Sequence, residues 1–370
     1  MKITRIIRIA AAVGALSLTG GCVRVADHTP QATTHEVAIA FKAESRLLNE
    51  DAETKAAMEG FTKNLESFAV FGERIPAIGV RTTVFNGDEV THHYSEEDAG
   101  VTDNHWDYTP LRFWNLISME DRYDFVAVYP CGEGTTNENA VGNISVSTHY
   151  DYDDPDFDSA HPELQTQAYG GGDKYDIMGA SYRREAAADW ENRFRGVELR
   201  FSHIGSAVGV TVVNNSSSTN ITVTSIYYKN LVVSGDAKVS LDNFGRTVLR
   251  WANSVPSGAK VRKLTKENPT VITPGNAYTG EYQIMIPQNL SLYSAYLYIT
   301  YRKGEAPDEF TAEVPLDQIE QEDGTAITAW EIGKKYTYIL SMRLDGGLLV
   351  TVTTTPWDVP VEGETPGILI

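Results

Sequence analysis

YDFVAVYP, residues 123–130, alternates two sets of side chains along a short run that ends at a proline. Tyr123, Phe125 and Tyr129 share one parity with Ala127, and an aspartate and two valines take the other. Successive side chains of a β-strand point to opposite faces of its sheet. The alternation therefore predicts a strand with one face on a core and the other on water. Its tyrosines and valines suit a pleated surface.

The same period of two recurs along the chain. Gly, Asn, Ser, Asp and Pro, which favour turns, are concentrated between the alternating runs. Many short strands separated by turns predict an all-β sandwich or barrel. The further runs with this period lie at residues 37–41, 197–202, 221–227, 282–286, 336–340 and 348–352.

The first 21 residues have the three parts of an export signal. A basic start is followed by an apolar run at residues 9–18, and small residues precede Cys22. The apolar run is too short to span a bilayer as a mature helix. We therefore predict a lipoprotein signal peptide over residues 1–21 and a lipid on Cys22. An ordinary cleaved signal is the alternative, because Thr19 stands where a bulky aliphatic residue is usual.

The length of 370 residues suggests two domains, at roughly 150 residues per domain. The polar run at residues 214–220 is the clearest candidate for a boundary. We predict a lipidated linker at residues 22–34, an N-terminal domain at residues 35–215 and a C-terminal domain at residues 216–370.

Charge and cysteine content limit the possible partners. The formal net charge of −19 argues against a nucleic-acid partner, because phosphate binding needs clustered Lys and Arg. Solubility of an exported protein is a sufficient reason for this acidity. A lipid on Cys22 would leave Cys131, the other cysteine, without a disulfide partner. The turn sequence around Cys131 predicts a structural rather than a reactive thiol.

No enzyme motif is present in the sequence. It lacks a G-x-S-x-G elbow, H-E-x-x-H, a P-loop and a dinucleotide fingerprint, so we predict neither catalysis nor a cofactor. A carboxylate pair of the glycosidase kind stays a minor alternative, since no pair is singled out. His92, His93 and His105 lie in polar sequence without the ligand set of a zinc site. His203 has the parity of an inward face and is predicted to be a core residue.

The acidic run at residues 151–158 contains five aspartates, and hard cations prefer carboxylate oxygens. It does not fit the EF-hand template, because Pro155, Asp156 and Pro162 occupy key positions. We predict a solvated loop, and an irregular calcium site remains the alternative.

Taken in order, the motifs resemble the fimbrillin family of Bacteroidetes surface lipoproteins, which includes major and minor pilins. The resemblance covers most of the chain after the signal. Its motifs lie at residues 35–41, 54–56, 68–71, 106–108, 114, 123–130, 176–180, 197–204, 330, 333–338, 350–352 and 357.

This resemblance implies two transthyretin-like antiparallel β-sandwich domains in tandem and a role as a pilus subunit, tip adhesin or anchor. Polymerising members are exported as lipoproteins and cut by a trypsin-like protease after an arginine that follows the first strand. Loss of that strand opens a groove, which the C-terminal segment of a neighbouring subunit fills by β-augmentation.

The resemblance assigns roles to particular residues of this chain. The displaced strand corresponds to Val37, Ile39 and Phe41. Arg46 is the preferred cleavage site, since exposed polar loops are where nicking concentrates, and Lys55 is a poorer choice. The candidate donor strand carries the alternating side chains Leu348, Val350 and Val352.

Two functions follow as expectations. The first is a structural fimbrial subunit at the cell surface, with other subunits as partners and the outer membrane contacted through Cys22. The second is a surface-anchored adhesin or glycan-binding lipoprotein that does not polymerise and whose partner is a host protein or a glycan. Uncut Arg46 would favour the second.

Overall fold

A computed structural model describes residues 37–45, 67–93, 105–118, 120–129, 131, 135–137, 144–149, 177–185, 196–232, 234–253, 261–263, 269–280, 282–292, 294–343 and 347–357. Nearly all regular structure in these ranges is β-strand, apart from a 3₁₀ turn at Leu316–Gln318, which confirms the predicted all-β class. Within the same ranges, no helix has the length and apolar character needed to cross a membrane.

The earlier part of the chain forms a seven-stranded sheet with the order β1-β9-β8-β5-β2-β3-β4. Neighbouring strands are antiparallel, except that β1 and β9 are parallel. The strands of this part are β1 (Phe41–Ser45), β2 (Ser67–Ile75), β3 (Thr82–His93), β4 (His105–Asp107), β5 (Arg122–Tyr129), β6 (Thr135–Asn137), β7 (Ile144–His149), β8 (Met178–Arg184) and β9 (Val197–His203).

Most of the later strands build a β-sandwich. One sheet has the order β16-β10-β22-β23 with β17 on β10, the other β14-β11-β19-β20 with β15 on β11, and β18 pairs with β21. The strands are β10 (Ser206–Asn214), β11 (Ile221–Lys229), β12 (Ser234–Leu241), β13 (Thr247–Asn253), β14 (Val261–Lys263), β15 (Thr270–Ile272), β16 (Ala277–Thr279), β17 (Gln283–Met285), β18 (Gln288–Asn289), β19 (Tyr296–Lys303), β20 (Glu309–Pro315), β21 (Ala329–Trp330), β22 (Lys334–Met342) and β23 (Leu348–Pro356).

The hairpin of β12 and β13 belongs spatially with the earlier strands. It joins β7 and β6 in a four-stranded sheet of order β13-β12-β7-β6. We call the seven-stranded and four-stranded sheets together the first unit, and the sandwich of later strands the second unit. The two sheets of the first unit approach closely, since a Cβ at Gly179 of β8 would lie 2.7 Å from Cγ2 of Val239. Only glycine avoids that clash.

Strand β5 is buried on both of its faces, although its sequence predicted that one face meets water. Val126 and Val128 are as buried as Phe125 on the opposite face. The prediction of a water-facing side is wrong because the β12–β13 hairpin covers it, with Ala237 and Val239 packed against the two valines. A strand covered on both faces needs apolar side chains on both, and Asp124, which interrupts the pattern, is ion-paired with Arg183.

The expected division between residues 215 and 216 differs from the sheet membership of the strands. Strand β10 precedes that point yet pairs with β22 of the second unit, while β12 follows it yet pairs with β7 of the first. The polar run at residues 214–220 connects β10 to β11 within one sandwich, where Asn214 donates to the carbonyls of Thr219 and Ile272. A loop of this kind has the same composition as a domain linker.

An ion pair ties the hairpin to the seven-stranded sheet. Arg183 of β8 donates from Nε and Nη2 to both carboxylate oxygens of Asp124, at 2.8 and 2.9 Å, and from Nη1 to the carbonyl of Asn243 at 2.7 Å. Both charged side chains are about nine-tenths buried. The bidentate bond to Asp124 raises the pKa of Arg183 above its ordinary value. The pair therefore satisfies two buried charges and one turn carbonyl together.

We expect Arg183→Ala to destabilise the protein by about 3 kcal/mol, because it leaves the Asp124 carboxylate buried without its main partner. Urea denaturation measures this change. Arg246→Ala is the matched control, since about half of the Arg246 side chain is exposed in its pair with Asp242 and the pair should contribute less than about 1 kcal/mol. Equal losses for the two variants would contradict the assigned role of the buried pair.

Candidate functional site

Two extended segments from opposite ends of the described chain lie at sheet edges. We call residues 37–45, which include β1, the first segment. Strand β23, at residues 348–356, is the last strand of its sheet. These are the segments to which the family resemblance assigned displacement and donation, so their packing defines the candidate site.

The first segment places its apolar side chains inside the seven-stranded sheet. Ile39 and Phe41 are almost fully buried, while Val37 is half-buried. The Phe41 ring makes edge contacts with four aromatic rings at centroid distances of 5.3 to 6.2 Å. These rings belong to Phe68, Phe85, Tyr108 and Phe125. Edge-to-face packing of this kind stabilises a core beyond the area buried.

Backbone hydrogen bonds hold the first segment on both sides. On one side β1 runs parallel to β9, and the Val197 amide donates to the carbonyl of Ala40 at 2.7 Å. On the other side the Ile39 amide donates to Arg112, and the Trp114 amide donates to Val37, each at 2.9 Å. Strands β9 and β4 lie toward opposite edges of the sheet, and residues 112–114 follow β4 along the chain. The first segment therefore bridges the gap between β9 and residues 112–114.

A buried tyrosine adds a side-chain bond to this segment. The Tyr108 hydroxyl donates to the carbonyl of Ile39 at 2.6 Å. Burial raises the pKa of Tyr108 to about 12. The hydroxyl therefore keeps its proton, and its ability to donate, over the whole physiological range of pH.

The surroundings of the first segment have the properties of a strand acceptor. Without residues 37–45, the edge of β9 would have free backbone groups, and so would Arg112 and Trp114. The ring cluster around Phe41 would be open to water. A row of unpaired N–H and C=O groups beside an apolar pocket binds an extended strand with alternating side chains.

The last strand is paired within its own chain. It is antiparallel to β22 in continuous register, from Leu348 opposite Met342 to Pro356 opposite Lys334. Val352 is fully buried, and Leu348 and Val350 are half-buried against the same core. The alternation that suggested a donor thus faces the core of the second unit in this structure.

A tryptophan after the last strand links the two units. The Trp357 ring stacks on the buried His203 ring at a centroid distance of 3.9 Å and an interplanar angle of 3°. The Trp357 amide donates to Gly333 at 2.8 Å. His203 is buried at the end of β9, in agreement with its predicted place in a core. Its pairing with Trp357 was missed, because nothing in the sequence relates residues more than 150 positions apart.

An open cavity of about 650 Å³ lies beside residues 112–115, which include the two residues that bond the start of the first segment. It is lined by residues of β3 and by residues 112–115, with the half-exposed Phe113 ring at its wall. Arg112 crosses it, donating from Nε to the Val84 carbonyl at 3.0 Å and pairing with Asp88 at 3.3 Å. The cavity combines an aromatic face with charged and amide groups.

Several predicted residues lie outside the described ranges or form no site within them. Cys22, Arg46 and the acidic run at residues 151–158 are outside. His92 packs against Trp106 at 4.6 Å, and the described residues contain no group of three or more metal-ligating side chains. Cys131 is half-buried, is in no disulfide and packs against the core between the sheets of the first unit.

We expect Phe41→Ala to cost about 3 to 5 kcal/mol in the free energy of unfolding, since it empties the centre of the ring cluster. Lys42→Ala, whose side chain points to solvent on the same strand, should change stability by less than about 0.5 kcal/mol. Chemical denaturation of both variants is the measurement. A small loss for Phe41→Ala would mean that the first segment is not part of the core.

Comparison with known proteins identifies the family of the chain. A model of the fimbrillin-like family matches residues 54–357, and no curated protein matches the sequence. Among solved structures, a putative cell adhesion protein from Bacteroides uniformis is 15% identical, with a TM-score of 0.48, over 88% of this chain and 100% of that one.

A second putative cell adhesion protein, from Bacteroides ovatus, is 13% identical, with a TM-score of 0.48, over 88% of this chain and 99% of that one. The tip fimbrial protein Mfa3 from Porphyromonas gingivalis, with a C-terminal truncation, is 10% identical, with a TM-score of 0.37, over 79% of this chain and 95% of that one. The family match spans most of the chain, and on that match this protein belongs to the fimbrillin-like family.

Proposed function

We propose that this protein is a structural subunit of a cell-surface fimbria, assembled by donor-strand exchange. Membership of the fimbrillin-like family supports a fimbrial or adhesive role. The observation that carries the finer proposal is the position of the first segment. It closes the seven-stranded sheet with its own backbone and fills an aromatic groove with Ile39 and Phe41.

The proposed assembly begins with export and proteolysis. A lipid on Cys22 attaches the precursor to the outer membrane, and a trypsin-like protease cuts after Arg46. Arg46 follows Ser45, the last residue of β1, so this cut separates the whole first segment from the rest of the chain. The segment then stays only through non-covalent contacts, and a strand from another subunit can replace it.

The last strand is the proposed donor. Leu348, Val350 and Val352 provide the alternating side chains that a groove lined with aromatic rings accepts. In the present structure these residues pair with β22, so donation requires the last strand to leave its own sheet. The backbone bonds that the last strand loses to β22 are offset by those it makes in the groove of the neighbouring subunit, and β22 is left as an open edge.

A surface-anchored adhesin is the second candidate function. If Arg46 is not cut, the first segment stays in place and Cys22 keeps the protein on the membrane. The cavity beside residues 112–115 favours this candidate, because the exposed Phe113 ring and the polar Asp88 and Arg112 groups are suited to a sugar ring and its hydroxyls. A glycan screen with Phe113→Ser as the comparison would test it.

We expect purified protein to be shortened by a trypsin-like protease and then to form ladders that resist mild SDS. Arg46→Gln should block both the shortening and the ladders, whereas Lys55→Gln, the poorer site, should leave both unchanged. Gel electrophoresis of the treated proteins measures the outcome. Cleavage of Arg46→Gln with normal ladders, or one stable band for the natural sequence, would contradict the proposed processing.

The donor assignment has its own matched pair of variants. Val350 faces the core side of the last strand, and Leu349 faces outward with about half of its surface exposed. Val350→Asp should reduce ladder formation at least tenfold, because it places a charge in an apolar pocket. Leu349→Asp should not. Equal ladders from both variants would exclude β23 as the donor.

A further inference from the structure

The most exposed apolar side chains of the described residues lie at one end of the first unit. Ile117, Ile78, Val80 and Phe244 are 97, 94, 84 and 80% exposed, more than any other large apolar side chain in these ranges. Isolated exposed apolar residues are common on proteins, but several at one end indicate a contact surface. We call these four residues the apolar tip.

Three separate loops carry the apolar tip, and polar contacts connect them. Ile78 and Val80 lie between β2 and β3, and Ile117 lies just before β5. The guanidinium of Arg74, near the end of β2, pairs with Asp121 at 3.6 Å and so joins these two loops. Phe244 lies in the β12–β13 turn, which is held against the start of β5 through the Arg183–Asp124 pair.

The apolar tip is at the end of the first unit opposite the second unit. The strand ends next to it lie side by side, since Ile75 of β2 pairs with Arg122 of β5 and Arg184 of β8 pairs with Tyr123 of β5. The other end of β8, at Met178, pairs with His203 of β9, where the chain continues into β10 and where Trp357 of the second unit stacks. The second unit therefore extends away from the tip.

Charges near the tip are locally matched. Arg74 pairs with Asp121, Arg183 with Asp124, and Arg246 with Asp242. This balance differs from the formal net charge of −19 for the whole chain. A neutral apolar end can approach an uncharged or weakly anionic surface without the repulsion that the remaining surface would cause.

Val37, the first described residue, lies on the side of this tip. The Val37 carbonyl accepts a bond from Trp114, whose ring packs 4.8 Å from Tyr123 at the start of β5. From there the first segment runs parallel to β9, away from the tip and toward His203. Val37 is the fifteenth residue after Cys22, so a lipid on Cys22 keeps Val37 within about 50 Å of the membrane.

We infer that the apolar tip contacts the lipid bilayer to which Cys22 is attached. Ile78, Val80, Ile117 and Phe244 enter the interface between headgroups and acyl chains, where apolar side chains are stabilised by burial. The short tether raises their effective concentration at the surface, so weak individual contacts suffice. The inference rests on the proposed lipid at Cys22, and it orients the second unit outward from the membrane.

The test supplies the tether independently of acylation. The protein used is residues 22–370 with Cys22→Ser and an N-terminal hexahistidine tag. A nickel-chelating lipid holds this tag on vesicles of phosphatidylethanolamine and phosphatidylglycerol. Amide hydrogen exchange is then compared between vesicles and solution. We expect exchange at residues 76–81 and 115–118 to slow about tenfold or more on vesicles, and exchange around Leu292 of the second unit to stay the same.

The double variant Ile78→Ser, Ile117→Ser should lose this protection. Leu292→Ser removes an exposed apolar side chain of the second unit and should keep it, which makes it the matched control. Because all three positions are exposed, the variants should retain the circular dichroism spectrum of the parent.

Two results would overturn the inference. The tip loops could exchange equally fast on vesicles and in solution, which would show that they do not meet lipid. They could also be protected on nickel-chelating agarose without lipid, which would show contact between copies of the chain. Failure of the proposed lipid at Cys22 is detected separately, as a missing acyl mass on the N-terminal peptide of protein from cells.

Discussion

The first unit depends on closing the gap between β9, near one edge of the seven-stranded sheet, and residues 112–114, which follow β4 at the other edge. The backbone groups of β9 on one side and of residues 112–114 on the other lie next to an apolar interior. They need partners there, because a buried unpaired polar group is costly. Residues 37–45 satisfy both edges, and Phe41 fills the space between four rings. This single segment therefore supplies both the missing hydrogen bonds and the missing core.

That arrangement is what the proposed strand exchange requires, in which the same residues stabilise a precursor and are later replaced. The first segment is covalently joined to the rest of the chain only at its ends. Its contacts with the sheet are non-covalent, and it makes them as an extended strand. Any strand with similar alternation could make equivalent bonds. The last strand has such alternation at Leu348, Val350 and Val352, but it lies in a continuous pairing with β22 and is followed by the Trp357 stack on His203. Its release would therefore also loosen the junction between the units.

The sequence was sufficient for the fold class and for the family, because alternation along β5, β9 and β22 is a local signal. It could not reveal what covers each face. Val126 and Val128 were expected to meet water, and they are buried because a hairpin more than 100 residues later packs over them. The same non-local pairing explains why the polar run at residues 214–220 resembled a boundary but connects two strands of one sandwich.

The candidate site shows a similar limit. Burial of Ile39 and Phe41 follows from their parity, whereas the bridging role of the first segment depends on residues 112–114, which have no strand pattern of their own. The apolar tip was also not apparent from the sequence. Ile78, Ile117 and Phe244 are far apart along the chain, and only the register of β2, β5 and β8 brings their loops to one end.

Mass spectrometry of the N-terminal peptide of the protein isolated from assembled fimbriae tests the central claim most directly. Displacement of the first segment predicts that the chain in fimbriae begins at Leu47 and that no peptide containing Ile39 and Phe41 accompanies it. Fimbriae whose subunits begin at an acylated Cys22 and retain residues 37–45 would contradict the account.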